Sequence, residues 1–278
     1  MSRRPHRHLH LFTPGTQLRV NFRDVADTVK VLRKGKLFRS SVCFTPTSEI
    51  RAMVDLRRKG AEVEPWHEEG MRASSREIKR HHIPMVGSRG GLSLLTQLPA
   101  TTFVKFCLSG GSEAIVGTYY FATPDNIVDM YVRIAENASH ELTEIAKILA
   151  DPSEGGTVIF CVAGKDRTGI VISLFSRLCG ASIEEIAADY TVSQKNLAQA
   201  KEEGHLALVD PLLLDSCLTQ SPWEAVVAFI RTIETRYGSV RTFFKTKLRM
   251  SDVLIDAVIQ NLKDPNSQAA SQQQLEVQ

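Results

Sequence analysis

The sequence predicts an α/β fold in which a central mixed, largely parallel sheet is flanked by helices, with a helical C-terminal half. Three observations support this. The run Thr157-Val158-Ile159-Phe160 is apolar, β-branched and of strand length. It is preceded by a helix that Thr123 caps and Pro124 opens, with Ile127, Met130 or Tyr131, Ile134, Leu142, Ile145 and Leu149 at helical spacing. It is followed by the uncharged run from Gly169 to Phe175, which reads as a buried helix. A helix-strand-helix order suits a strand covered on both faces. With 278 residues and 43% hydrophobic composition, the chain can build one large core, and a single domain is expected.

The first twenty residues hold Arg3, Arg4, Arg7 and Arg19, with no acid before Asp24. Pro5, Pro14 and Gly15 interrupt the long amphipathic helix that a mitochondrial presequence needs, so residues 1–20 read as a flexible basic segment. His6, His8 and His10 alternate as strand ligands do, but no Cys or acid accompanies them and no metal is expected. Between Phe22 and Leu56, Lys36 to Arg39 and Ala52 to Leu56 are candidate strands, and Thr45 to Glu49 reads as a turn into a short helix. Arg57, Arg58, Lys59, Arg72, Arg76, Lys79, Arg80 and Arg89 form a basic stretch, broken by the acids of residues 62–69. It reads as a solvated face or as a surface for an anionic substrate.

Residues 87–122 are rich in Gly, Ser and Thr, with Leu94, Leu95, Phe103, Phe106, Tyr119, Tyr120 and Phe121 scattered among them. Asp151-Pro152 and Gly155-Gly156 end the helix that follows. Beyond the central strand, Gly180 stops one helix and Ser182 to Glu185 form a capping box that starts the next. Ser221-Pro222-Trp223-Glu224 opens another helix, with Trp223, Val226, Ile230 and Ile233 on one face and Gly238 closing it. Ser239 and Ser251 begin two more, and the Gln- and Ser-rich residues 264–278 are expected to be disordered. The folded domain thus spans 21–263. The odd count of five cysteines suggests a reducing compartment, with Cys43, Cys107, Cys179 and Cys217 as small buried apolar residues. A net charge of +3 is too small to argue for nucleic acid, and no run of apolar residues is long enough to span a membrane.

The chemistry concentrates in Cys161-Val162-Ala163-Gly164-Lys165-Asp166-Arg167-Thr168-Gly169, at a strand-to-helix turn. The spacing from Cys161 to Arg167 lets the backbone curl into a nest whose N–H groups converge on one tetrahedral anion, and the following helix adds its positive end. A thiol in that field loses its proton readily; moving a cysteine from a pKa of about 8.5 to about 5 corresponds to about 5 kcal/mol. Cys161 is then a nucleophile for phosphorus. Arg167 supplies a planar fork for two phosphate oxygens, which lysine cannot imitate. Val162, Ala163, Lys165 and Gly169 complete the phosphate-binding segment, Gly164 permits close approach, and the Thr168 hydroxyl can donate to the sulfur as it leaves.

Val162 to Gly169 resembles the phosphate loop of the protein-tyrosine-phosphatase superfamily, in its atypical branch of bacterial and fungal enzymes that includes the mycobacterial secreted phosphatase B. Asn21-Phe22-Arg23-Asp24, Leu37-Phe38-Arg39-Ser40-Ser41 and Val54-Asp55-Leu56-Arg57 resemble further motifs of that branch, as do Ala188-Asp189-Tyr190 with Ser193 and Tyr237-Gly238-Ser239-Val240. The resemblance implies a phosphatase-like fold with residues 87–122 as a mobile lid or insertion over the active site, the alternative being a helix and loop docked permanently on the core. It also implies a thiol-based phosphomonoester hydrolase that needs no cofactor and acts through a cysteinyl phosphate. Its substrates would be phosphotyrosine, with phosphoserine, phosphothreonine and phosphoinositides as further ones. A phosphoinositide phosphatase and a non-catalytic phosphate-binding module are the competing readings. The expected partners are therefore a phosphorylated protein or a phosphoinositide, with peripheral membrane contact in the second case, and the expected location is cytoplasmic.

Two positions depart from the pattern. Many relatives place His directly before the nucleophile, where this chain has Phe160. The branch also places an aspartate after the strand corresponding to Ile83 to Val86, and Val86-Gly87-Ser88-Arg89-Gly90-Gly91 contains none. The general acid then falls to Asp166, with Asp55 or an acid elsewhere as alternatives.

Overall fold

The computed structural model describes residues 19–58, 65–74, 77–86, 88–109, 113–205 and 222–267. The expected N-terminal segment up to residue 18, Cys217 and the tail from residue 268 lie outside the described residues. Five strands, β1 (Arg23–Asp24), β2 (Leu37–Ser40), β3 (Ile50–Asp55), β4 (Lys79–His82) and β5 (Gly156–Phe160), form one sheet in the order β1-β2-β5-β3-β4. Only β1 runs antiparallel to its neighbour; β2, β5, β3 and β4 are mutually parallel, which is the mixed, largely parallel sheet expected. The strand of the signature loop therefore sits at the centre, between β2 and β3, and every residue of β5 is buried.

Alternation along β5 divides the interior in two. Ile159 and Cys161 face the larger cluster, where α5 (Pro124–Asn137), α6 (Ser139–Ala150), α7 (Asp166–Leu178), α9 (Trp223–Tyr237) and α10 (Asp252–Leu262) pack. Val158 and Phe160 face a smaller one with Phe38, Phe44, Ile50, Met53 and Leu197, the last from α8 (Ile183–Glu202). The expected caps are present: Thr123 accepts from the Asn126 amide, Ser182 and Glu185 form a reciprocal capping box, and Ser251 accepts from Leu254. Gly238 closes α9 at φ 83°.

Several expectations need correction. The single helix from Thr123 to Leu149 breaks at Ala138 (φ −101°, ψ 35°), because its halves serve different partners: α5 packs on α9, and α6 on α10. Thr45 to Glu49 form no helix, since a turn at Ser48-Glu49 leads directly into β3. The strand anticipated at Ile83 to Val86 lies at Lys79–His82, an edge strand whose charged side chains hide it from an apolar search. It ends at Pro84, which has no N–H to continue the ladder. Trp223 is half exposed at the first position of α9, while Ala225, Val226, Phe229, Ile230 and Ile233 enter the core. Cys107 is exposed, because α3 (Ala100–Leu108) leans on α4 (Glu113–Tyr120) and buries no side chain completely. The segment expected as a lid is thus helical: α2 (Ser88–Leu95), α3 and α4, with α2 packed on α5. No helix among the described residues is long and apolar enough to cross a membrane.

His67, on α1 (Pro65–Ala73), is completely buried, its ring 4.5 Å from that of Phe44 and 5.1 Å from that of Phe160. Burial first, and the charges of Arg57 and Arg80 after it, hold its pKa down at about 3, against the attraction of Asp55. The unfolded chain takes up this proton near pH 6.5 while the folded protein does not, so stability is lost as pH falls below 6.5. Urea unfolding should show a drop of about 2 kcal/mol between pH 7 and pH 5 that His67→Leu largely abolishes. An unchanged pH slope in the variant would show that His67 is not the group responsible.

Candidate active site

β5 delivers Cys161 to the C-terminal end of the sheet, and the four residues that follow turn the chain back into α7. Cys161 is buried and lies in the large cluster, while Val162 and Arg167 are partly exposed. The loop is shaped from outside by its carbonyl groups. The Val42 amide donates to the Val162 oxygen at 2.9 Å. Asn21 Nδ2 donates to the oxygens of Ala163 and Gly164, each at 3.1 Å. Arg39 Nη2 donates to the Gly164 oxygen at 2.8 Å, and the Lys165 oxygen is bound by the Gly169 amide at 2.6 Å. With successive carbonyls tied outward, the amides of the same peptides are turned to the concave side, which is the geometry of an anion nest. The positive end of α7 adds to it.

Gly164 is required by this packing. It sits at φ 67°, and a Cβ there would lie 2.0 Å from the Ser40 carbonyl oxygen. Gly169 is required for another reason: a Cβ would lie 2.9 Å from the ring of Tyr190. Asn21 reaches under the loop from a left-handed conformation, φ 58°, which asparagine tolerates better than most residues.

Behind the loop stands a buried ion cluster. Asp189 on α8 receives Arg39 through Nη1 and Arg23 through Nε, the latter at 2.9 Å. Burial alone would raise the Asp189 pKa, but Arg39 and Arg23 outweigh it and hold the carboxyl below its usual range. Arg23 is itself pushed down to about 10, first by burial and then by Arg39. It also donates to Ser193 Oγ at 3.1 Å and to Asn21 Oδ1, so one network links β1, β2, α8 and the loop.

The predicted site residues fall into two groups. Cys161, Val162, Ala163, Gly164, Asp166, Arg167, Thr168 and Gly169 line the turn or the first turn of α7. Arg167 Nη1 reaches the Leu56 carbonyl at the end of β3, at 3.4 Å, and the Thr168 hydroxyl is buried with no hydrogen-bond partner among the described residues. Lys165 belongs to the loop, but its ammonium is buried 5.0 Å from the ring centre of Phe121 and 3.5 Å from Asp166 Oδ1. Phe121 follows α4, so the helical insertion touches the loop at this lysine.

Asp55, the alternative candidate for the acid, is engaged by two arginines. It is fully buried, and although burial pushes its pKa up, bonds from Arg57 and Arg80 hold it below the ordinary value. Phe160 is a packing residue on the opposite face of the strand from Cys161, 5.1 Å from the Phe44 ring and with the Arg57 guanidinium 5.7 Å from its centre. Asn21, Arg23, Arg39 and Asp189 stand in motifs that resemble those of the family, but their roles behind the loop, and that of Tyr131, are not legible in sequence. A charged residue inside an otherwise apolar strand, as Arg39 is in β2, is a further signal.

The family model described as "Tyrosine phosphatase family" matches residues 16–264. This chain belongs to the tyrosine phosphatase family. Among curated relatives it is 31% identical over 195 residues to the triple specificity protein phosphatase PtpB of Mycobacterium tuberculosis, covering 65% of this chain and 69% of that protein. It is also 31% identical over 91 residues to a tyrosine-protein phosphatase of Nostoc commune, covering 33% of this chain and 31% of that one. The phosphatase was anticipated from the loop, and the match extends across the sheet and the helical C-terminal half described above.

Replacing Asp189 by Asn would leave Arg39 and Arg23 buried beside a neutral partner, at a cost of about 3–5 kcal/mol. Its urea midpoint should fall accordingly and its turnover with it. Asp27→Asn, which breaks only the surface pair with Lys34, should leave both unchanged.

Proposed function

We propose that this phosphatase hydrolyses phosphotyrosine through a cysteinyl-phosphate intermediate formed on Cys161. The observation that carries the reading is the set of loop carbonyls from Val162 to Gly164 held by Val42, Asn21 and Arg39, which in planar trans peptides leaves the amides of the same peptides on the opposite side of the loop. Phosphate oxygens bind these amides and the Arg167 guanidinium. The Cys161 thiolate attacks phosphorus, the P–O ester bond breaks, and Asp166 gives a proton to the departing oxygen. Water then attacks the phosphocysteine, Asp166 takes up its proton, and the S–P electron pair returns to sulfur. The buried Thr168 hydroxyl stabilises the sulfur as it leaves. Four free cysteines among the described residues suit a reducing compartment, and we place the enzyme in the cytoplasm.

A second reading, hydrolysis of phosphoinositides at a membrane surface, is favoured by one feature. From Ile83 to Ser112 the chain carries Arg89 and Lys105 and no acid, and α3 exposes Val104 and Leu108. A panel of phosphotyrosine peptides against dispersed phosphoinositides, with Cys161→Ser as control, decides between them. Higher kcat/KM on the peptides is expected, and a preference for lipid would reverse the assignment.

Arg167→Lys keeps the charge but loses the fork. Activity should fall by about 30- to 1,000-fold, equivalent to about 2–4 kcal/mol in a desolvated site. A variant keeping half the native rate would remove Arg167 from the phosphate. Asp166→Asn should cripple hydrolysis of an alkyl phosphate by about 10²- to 10⁴-fold and spare 4-nitrophenyl phosphate, whose leaving group needs no proton. Equal loss on both substrates would mean that Asp166 only shapes the loop.

A further inference from the structure

Asp166 does not stand alone at the head of α7. The Tyr131 hydroxyl, brought by α5, donates to Asp166 Oδ1, and the Tyr190 hydroxyl, brought by α8, lies 2.6 Å from that of Tyr131. Both tyrosines are buried, their rings in edge-on contact at 6.5 Å, and Tyr131 is further wedged against Phe229 at 5.9 Å. Because Tyr131 has one proton and spends it on Asp166, Tyr190 must donate to Tyr131, which makes a directed chain from α8 through α5 to the loop. Tyr190 is placed for this by its close approach to Gly169, one helical turn beyond Asp166. Oδ1 also lies 3.5 Å from the Lys165 ammonium, so this one carboxylate oxygen meets both the Tyr131 hydroxyl and the Lys165 ammonium. Oδ2 has no partner among the described residues.

From this geometry we propose that Tyr131 and Tyr190 are positioning residues for proton transfer: they pin Asp166 by Oδ1 and leave Oδ2 to carry the proton to the leaving oxygen. The inference rests on the reading of Asp166 as the acid. Tyr hydroxyls suit the task because each can donate or accept. When Asp166 is a carboxylate, Tyr131 donates to it. When Oδ2 is protonated, the same bond persists on the carbonyl-like Oδ1, so the side chain keeps one orientation through both halves of the reaction. Loss of the Tyr131 donor would free the side chain to rotate onto Lys165, and would also make the carboxylate easier to protonate, because a bond to the charged form is gone. The charged and titratable groups around Asp166 are Lys165 and Arg167 beside it on the loop, Tyr131 from α5, Tyr190 from α8 and Cys161.

The test is a comparison of Tyr131→Phe, Tyr190→Phe, Asp166→Asn and the Tyr131→Phe/Asp166→Asn double variant on a phosphoserine peptide and on 4-nitrophenyl phosphate, across pH. Phe keeps both rings in the core, so folded protein is expected, and Tyr190→Phe provides a milder version of the same lesion. Tyr131→Phe should lower kcat on the phosphoserine peptide by about 10- to 100-fold, a share of what an intact general acid supplies. It should change kcat on 4-nitrophenyl phosphate by less than about threefold, move the basic limb of the peptide profile to higher pH, and have no further effect in the Asp166→Asn background. If Asp166→Asn separates the two substrates and Tyr131→Phe does not, or leaves the basic limb where it was, the tyrosines merely pack and the proposal is wrong. If Asp166→Asn itself lowers both substrates equally, the acid reading fails and the proposal fails with it.

Discussion

The bonds that tie the loop carbonyls to Asn21, Arg39 and Val42 are what the rest of the site depends on. A peptide has two polar ends, and a loop can present its N–H ends to a ligand only if something else holds its C=O ends. Here the holders come from β2, the residues just after it and the segment before β1, and Asp189 from α8 holds Arg39 directly and Asn21 through Arg23. Three buried charges in one cluster would be costly without this pairing, and a well-packed apolar replacement could be as stable. What the ions provide, and an apolar cluster could not, is a set of rigid donors aimed at the loop backbone. Arg39 serves both purposes, with Nη1 on Asp189 and Nη2 on the loop.

Strand alternation decides what surrounds Cys161. Phe160 and Cys161 are neighbours in sequence, yet the Phe ring joins Phe44 and His67 while the thiol lies on the side of α7. A residue at position 160 therefore influences Cys161 through the backbone rather than by side-chain contact. His67 fills the same aromatic cluster as a neutral ring. The imidazole of this region is thus a core residue brought by α1.

The two carboxylates of the region differ by environment rather than by distance along the chain. Asp55 is saturated by Arg57 and Arg80 and remains an anion. Asp166 meets a phenol and a single ammonium and keeps one oxygen open. The same ammonium lies beneath Phe121, which joins the helical insertion to the loop through a cation–π contact. Any movement of α4 would therefore be felt at Lys165.

The sequence by itself determined the phosphate loop, the strand and helix on either side of it, and the capped helices of the C-terminal half. These are local: the Thr123 cap and the Ser182–Glu185 box act on residues within one turn of themselves. The central place of β5, the split at Ala138, the edge strand of Lys79–His82 and the exposure of Cys107 and Trp223 were decided by tertiary structure, because each depends on which distant element supplies or fails to supply a partner. The same holds for the site. Cys161 and Arg167 are recognisable from their spacing, whereas Asn21, Arg39 and Asp189 become part of it only when folding brings segments more than a hundred residues apart within hydrogen-bond distance of the loop or of one another, and Tyr131 only when α5 packs against the head of α7, 35 residues on.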